Sequence, residues 1–218
     1  MKINILGGGI AGLASAIFLS KQGHEVTIVE RNDYINELGA GIQITPNALR
    51  VLDALGIRND LVNLAKQSTS LSIRRAENSA LLQKVSMHRL VKDKKVGFYH
   101  LHRHKLLNLL KDNAIKNKVK IISNQYINKI IITKDNVRIF SNDIEYDSDI
   151  LIGADGLNSI SRKKLNEDYM PKYSGFCAFR TITTLDESVD KFLYEPNLFL
   201  QKNSHICLLY TSDAADDA

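Results

Sequence analysis

Cysteine is nearly absent: Cys177 and Cys207 are the two in 218 residues. So sparse a pair implies no disulfide framework, and a reducing cytoplasm is the compartment that fits. No apolar run approaches the ~18 residues a membrane span needs, so no stable membrane insertion is expected. The N-terminal stretch MKINILGGGIAG carries one lysine and a very short apolar segment before its glycines, which does not read as a signal peptide. There is no internal repeat. Charge is not concentrated in one sign either: 29 basic residues against 24 acidic leave a net charge of +5. Lysine and arginine are scattered, not gathered into a stripe, and nucleic acid is not an expected partner. What remains is an ordinary globular mixture, 44% hydrophobic and 24% charged. That excludes wholesale disorder, and the length suits one sizeable domain or two small ones.

The chain opens with alternating strand and helix signals. Lys2 to Leu6 is a short apolar strand running into Gly7-Gly8-Gly9. Ile10 to Gln22 has helical spacing, with Ile10, Leu13, Ala14, Ile17 and Phe18 on one face and Gly23 placed as a C-cap. Glu25 to Glu30 is β-branched and completes a βαβ unit. A glycine-containing loop then leads to a helix with Thr45 as N-cap, Pro46 in its first turn, an apolar face of Ala48, Leu52 and Leu55, and Gly56 at its end. Strands are predicted at 71–75, 81–85, 119–123, 127–133, 137–141 and 149–152, with Asp135-Asn136 as a turn and a helix over 105–117. Residues 92–95 read as a solvated loop. After Pro171, YSGFCAFRTIT reads as a strand of alternating character.

Gly7, Gly9 and Gly12 form G-x-G-x-x-G between a strand and a helix. The first permits a tight turn, the second lets backbone approach a pyrophosphate, and the third allows close helix–strand packing. The helix N-terminus supplies free N–H groups and partial positive charge. Glu30 ends the second strand at nearly the spacing at which an acidic side chain accepts both ribose hydroxyls, and it would repel a 2′-phosphate. Arg31 is placed to stack on an adenine or to be solvated. The motif by itself does not separate FAD from NAD. His100, His102 and His104 alternate, but Lys105 onward is helical, so no metal site is expected. Cys177 reads as a core residue of an apolar strand. Phe179 and Arg180 are candidates for a substrate pocket.

Three downstream segments resemble the FAD-dependent aromatic-ring monooxygenases, the single-component flavoprotein hydroxylases akin to salicylate and 3-hydroxybenzoate hydroxylases. GAGIQITPNALRVLDALGI is similar to the family's loop that approaches the flavin, which places Ala40 and Gly41 there. HLHRHKLLNLL is similar to its His-Arg-x-x-Leu helix start, and Arg103 falls on the arginine that contacts FAD. LIGADGLNSISR is similar to its Asp-Gly fingerprint, linked to both FAD and the nicotinamide cofactor, with Asp155 and Gly156 at a strand end and Ser159 and Arg162 beyond. YSGFCAFR also resembles the strand that enters the substrate domain. Residue by residue, Arg103 offers a fixed cationic fork to phosphate or flavin oxygens. Asp155 either stabilises its turn or meets the cofactor, and Arg162 either binds phosphate or caps the preceding loop.

The resemblance implies an α/β fold: a Rossmann-type FAD-binding domain (1–68 and 100–170) interleaved with part of a β-rich substrate domain (69–99 and 171–206). It implies FAD as cofactor, NAD(P)H as electron donor, and hydroxylation of an aromatic or related ring with O2 through a C4a-hydroperoxyflavin. No catalytic acid or base is assigned, because the flavin carries the chemistry. Another FAD-dependent oxidoreductase, or an inactive truncated nucleotide-binding fragment, are the alternatives. Residues 207–218, CLLYTSDAADDA, match the translation of a sequencing adapter and are expected to be an artefact, so the native chain is expected to be cut at Ile206. Asp213 in that segment is accordingly given no role.

Overall fold

The computed structural model describes residues 1–33, 40–90, 97–168, 170–182, 192 and 195–209. They fall into two compact units, one formed by Met1–Leu38 with Leu107–Ala178, the other by Gly39–Leu106 with Phe179–Ala218.

The first unit is built on the βαβ start. Strands β1 (Lys2–Leu6) and β2 (Glu25–Val29) flank helix α1 (Ile10–Lys21) in sequence. The two strands pair in parallel, Ile3 opposite Val26 and Leu6 opposite Val29. Two later strands, β8 (Lys120–Ile122) and β12 (Ile150–Gly153), extend this into a parallel sheet ordered β12-β1-β2-β8. A parallel sheet needs cover on both faces. Leu6 and Val29 supply one face and pack with Ile127, Ile130 and Ile139. Ile130 and Ile139 lie on an antiparallel meander, β9 (Lys129–Ile132), β10 (Val137–Ser141) and β11 (Ile144–Ser148).

Helix α1 buries Gly12, Leu13, Ala16 and Ile17. The expected apolar face was centred one position away: Phe18 is 51% exposed. The cause is Gly12, whose close approach to the chain at Gly7 fixes the helix rotation and brings Ala16, one turn on, inward. At the other end the helix closes as a Schellman motif, Gly23 N–H donating to Ser20 O and His24 N–H to Leu19 O, with Gly23 at φ +83°.

The second unit carries two sheets. The smaller is antiparallel, with β7 (Phe98–His102) between β3 (Gly41–Ile44) and β4 (Lys66–Ser68). The larger is ordered β14-β13-β5-β6, from β5 (Ser70–Arg75), β6 (Leu81–Ser86), β13 (Asn197–Gln201) and β14 (Ser204–Leu208). Helices α2 (Pro46–Ala54) and α3 (Arg58–Leu64) connect β3 to β4 within the smaller sheet. Thr45 is the N-cap of α2, as expected, but its hydroxyl bonds Asn47 instead of a helix N–H. The buried residues here are Leu49, Leu52 and Leu55; Ala48 is displaced from the core by the bulkier Leu49. Helix α4 (Arg103–Lys116) contains the boundary between the units.

The parallel pair β5–β13 joins residues more than 120 positions apart, and a polar network holds its register. Glu195 accepts from the Ser70 and Ser72 hydroxyls and from Lys84 Nζ at 2.7 Å. Asn197, opposite Ser72, accepts from Arg74 Nε at 2.7 Å and donates to Phe192 O and Glu195 O. Arg74 also lies 5.0 Å over the Phe192 ring. A buried polar network of this kind specifies one register only when every member is satisfied, as these are.

One predicted strand is absent. Residues 170–182 form no strand, and Phe176 and Phe179 are 85% and 99% exposed. Gly175, at φ +86°, interrupts the extended run, and a strand without a hydrogen-bonded neighbour has little to hold it. Cys177, expected in the core, is therefore exposed, its sulfur 3.1 Å from the Tyr173 hydroxyl. The predicted loop at 92–95 lies outside the described residues. Cys207 and Leu208 pair with Leu198 and Asn197 in β14; residues 210–218 lie outside the described residues. No helix among the described residues is long and apolar enough to cross a membrane.

Candidate functional site

The glycine loop is shaped by close backbone approaches. Gly7 N–H donates to Val29 O at 2.9 Å, and Ala154 N–H donates to Leu6 O at 2.8 Å, so the ends of β2 and β12 hold the loop from both sides. Gly7 has φ +97°, and a Cβ there would sit 2.4 Å from Ala154 O. A Cβ on Gly12 would sit 1.9 Å from Gly7 O. Neither neighbour is a flexible side chain, so both positions admit glycine alone. Gly9 differs: it is the N-cap of α1, and a Cβ there meets nothing within 4 Å. The loop thus packs tightly beneath and leaves an open cradle at the helix N-terminus, the arrangement an anionic group needs to reach free N–H groups.

Glu30 lies one residue past β2. Its N–H donates to Ile122 O and its carbonyl accepts from Gln125 N–H, which ties it to the segment around β8. Its carboxylate accepts from Gly8 N–H at 2.6 Å and from Asn32 N–H at 2.8 Å, one bond to each oxygen. The acid is thereby aimed at the glycine loop, with lone pairs left for hydroxyl donors. Arg31 beside it is exposed.

Asp155 follows β12 and the Ala154 that abuts Gly7. Its Oδ1 accepts from Ser159 Oγ and Ser161 Oγ, each at 2.7 Å, and its Oδ2 from Ser161 N–H at 3.2 Å. Burial alone would raise its pKa; the Ser161 and Ser159 hydroxyls and the Ser161 N–H outweigh that and hold it below the usual carboxylate range. Gly156 takes φ +76°, so the turn is real as well. Ser159 caps α5 (Ile160–Leu165) by accepting from Arg162 N–H. A cavity of about 70 Å³ beside it is lined by Ser159, Arg162, Lys163 and Met170. That is far too small for a flavin, since ligand pockets run to roughly 300–1,000 Å³.

The remaining candidates gather in the second unit. Arg103 opens α4, and its N–H donates to Ala40 O at 3.0 Å. Gly41 pairs with His102 across β3 and β7. The structure therefore brings Ala40, Gly41 and Arg103 together, and separately Gly7, Gly9, Gly12, Glu30, Asp155 and Gly156.

His100 is a residue whose burial the sequence did not reveal. It is 1% exposed, and its Nδ1 lies 2.8 Å from Ser68 Oγ. Burial lowers its pKa from 6.5 to about 4, so it is neutral near pH 7. His102 is also buried, with its ring 5.4 Å from that of His104. Among the described residues no cluster of three His, Cys, Asp or Glu could hold a metal ion.

Comparison with known proteins places the chain in a family. A family model described as FAD binding domain matches residues 1–207. The chain is 29% identical over 213 residues to the 3-amino-4-hydroxybenzoate 2-monooxygenase PtmB3 of Streptomyces platensis, covering 94% of this chain and 52% of that protein. It is 29% identical over 210 residues to the 3-hydroxybenzoate 6-hydroxylase of Klebsiella oxytoca, covering 94% of this chain and 53% of that protein. The crystal structure of a Klebsiella pneumoniae HpxO variant complexed with FAD superposes with a TM-score of 0.79 at 20% identity, over 98% of this chain and 55% of the other, which is evidence of shared fold. The chain spans about half the length of the curated relatives it matches. On the match over residues 1–207, the chain belongs to the FAD binding domain family, in company with flavin-dependent aromatic monooxygenases.

Proposed function

We propose that this chain is the cofactor-binding part of an FAD-dependent monooxygenase that uses NAD(P)H and O2 to hydroxylate an aromatic or related ring. The observation that carries the reading is the loop at Gly7, sealed below by Ala154 and Gly12 and open above at Gly9, with the Glu30 carboxylate aimed at it. When bound, FAD supplies the redox and oxygen chemistry. The chain's own residues bind and orient it. The loop amides and the N-terminus of α1 hold the pyrophosphate, and Glu30 accepts the ribose hydroxyls while disfavouring a 2′-phosphate. Arg31 stacks on the adenine. Asp155 and Gly156 serve the cofactor from the end of β12, and Ala40, Gly41 and Arg103 serve the flavin, as the family resemblance implies. By the same reading residues 1–68 and 100–170 are the FAD-binding domain, 69–99 and 171–206 the start of the substrate domain, and the compartment is the cytoplasm.

The test is a titration of the purified chain with FAD, followed by addition of NADH or NADPH and a panel of hydroxybenzoates. Stoichiometric binding, with quenching of flavin fluorescence, is expected. Glu30→Ala should weaken it by roughly tenfold or more, the loss of hydrogen bonds to a charged acceptor. A chain that folds and stays colourless overturns the reading. Flavin binding without substrate-stimulated consumption of NAD(P)H is the outcome favoured by the bare aromatic segment around Phe176 and Phe179, and it would mark this chain as a binding unit that does not turn over alone.

A further inference from the structure

We propose that Ser161 is a positioning residue for the dinucleotide: seated in the notch that Gly153 leaves by having no side chain, it clamps the Asp155 carboxylate in the orientation that meets the cofactor. The proposal rests on the FAD-binding reading above.

The geometry is a three-residue device. A Cβ on Gly153 would lie 2.0 Å from Ser161 Oγ, 2.8 Å from Ser161 Cβ and 3.4 Å from Asp155 Oδ1. The Ser161 side chain therefore occupies the space of the missing methyl. From there its hydroxyl and its N–H reach the two different oxygens of Asp155, at 2.7 and 3.2 Å. One residue thus contacts both oxygens and fixes the carboxylate's rotation. Ser159 contacts Oδ1 alone, also at 2.7 Å, and its oxygen additionally accepts from Arg162 N–H, so it serves the helix cap as well. The two hydroxyls are 2.9 Å apart.

The bond count indicates what the clamp presents. Of the bonds from the two serines, Oδ1 takes both hydroxyls and Oδ2 only the longer one from the Ser161 N–H. Oδ2 is therefore the oxygen better placed to accept from a hydroxyl donor such as a ribose or ribityl alcohol. Asp155 lies next to Ala154, whose carbonyl abuts Gly7, so the clamped acid stands beside the glycine loop. The hydroxyls and N–H also keep the acid ionised, and a protonated Asp155 would surrender this acceptor. Ser161 lies within the segment that resembles the Asp-Gly fingerprint, but nothing in the sequence singles it out; the Gly153 notch does.

The experiment compares the full chain with Ser161→Ala and Ser161→Thr. FAD affinity is measured by fluorescence from pH 3 to 8, and the Asp155 carboxyl is titrated by carbon NMR without ligand. Ser161→Ala should weaken FAD roughly tenfold, move the Asp155 titration upward, and move the acid limb of FAD binding upward with it. Ser161→Thr keeps the hydroxyl and should restore both. A merely structural serine would leave the two acid limbs together. Wild-type affinity and an unmoved acid limb in Ser161→Ala overturn the clamp while leaving the FAD reading intact. A wild-type chain that binds no FAD, even with the Asp155 titration moved in Ser161→Ala, removes the FAD reading and this proposal with it.

Discussion

In the first unit, β1 and β2 each bury four of their five residues; in the second, β6 and β14 bury none. The two units are held by different physics. The parallel sheet is covered on both faces, and its stability comes from apolar burial around a tightly packed loop. The larger sheet of the second unit depends on directional bonds, with Glu195, Asn197 and Arg74 setting its register. A covered sheet tolerates little change at its close contacts. A sheet set by polar groups is sensitive to charge and pH.

The sharpest way to break this contrast is at the loop. Gly12→Ala places a methyl 1.9 Å from Gly7 O, so backbone must move. We expect a loss of about 3 kcal/mol in stability, the upper range for overpacking a core, and abolition of FAD binding. Gly9→Ala should fold like the wild type, because nothing lies within 4 Å of the new carbon, yet still weaken FAD by intruding on the cradle. Urea unfolding of both variants, with FAD titration, checks the pair. Equal stabilities would mean the loop is not the tightly packed element it looks to be.

The next largest effect belongs to the second unit. His100 is buried and neutral, its pKa lowered from 6.5 to about 4. The unfolded chain takes up this proton at higher pH than the folded one. Stability is therefore full above about pH 6.5 and falls as the pH drops toward 4, by about 3 kcal/mol over the window. Asp155 and Glu195, held below the usual carboxylate range, give up their contributions only at still lower pH. His100→Gln should flatten the slope between pH 6.5 and 4.5 in urea midpoints. An unchanged slope would assign the pH sensitivity to other groups.

How far the sequence could be read follows the same division. The βαβ unit and the turn at the glycine loop were legible, because turn chemistry and spacing there are local. The β10–β11 hairpin was missed, although Asn142, at φ +53°, is a residue type that tolerates that backbone. Strand β3 read as a loop because its partner β7 begins more than 50 residues later. The run after Pro171 alternates like a strand, but alternation cannot show whether a neighbour exists to pair with it. The burial of His100 was invisible for the same reason, as a relation between elements; Gly153 and Ser161 share one short segment, but a residue pattern does not show that one side chain fills the space the other leaves.

The smallest effect tests whether the first unit is as fully optimised as its burial suggests. Helix α4 ends in the same Schellman pattern as α1, Lys118 N–H donating to Ile115 O and Val119 N–H to Ala114 O. Here, however, the left-handed position is held by Lys118, at φ +62°, where α1 has Gly23. The left-handed region costs a residue with a Cβ about 1–2 kcal/mol. Glycine removes that cost and gives back part of the gain through its greater freedom in the unfolded chain, roughly 0.5–1 kcal/mol. Lys118→Gly should therefore stabilise the chain by about 0.5 kcal/mol, read as a small rise in urea midpoint. Because β8 begins two residues later and pairs with β2, the gain should appear in the unfolding of the first unit. A fall in midpoint would show that the Lys118 side chain does more for this helix end than its strained backbone costs.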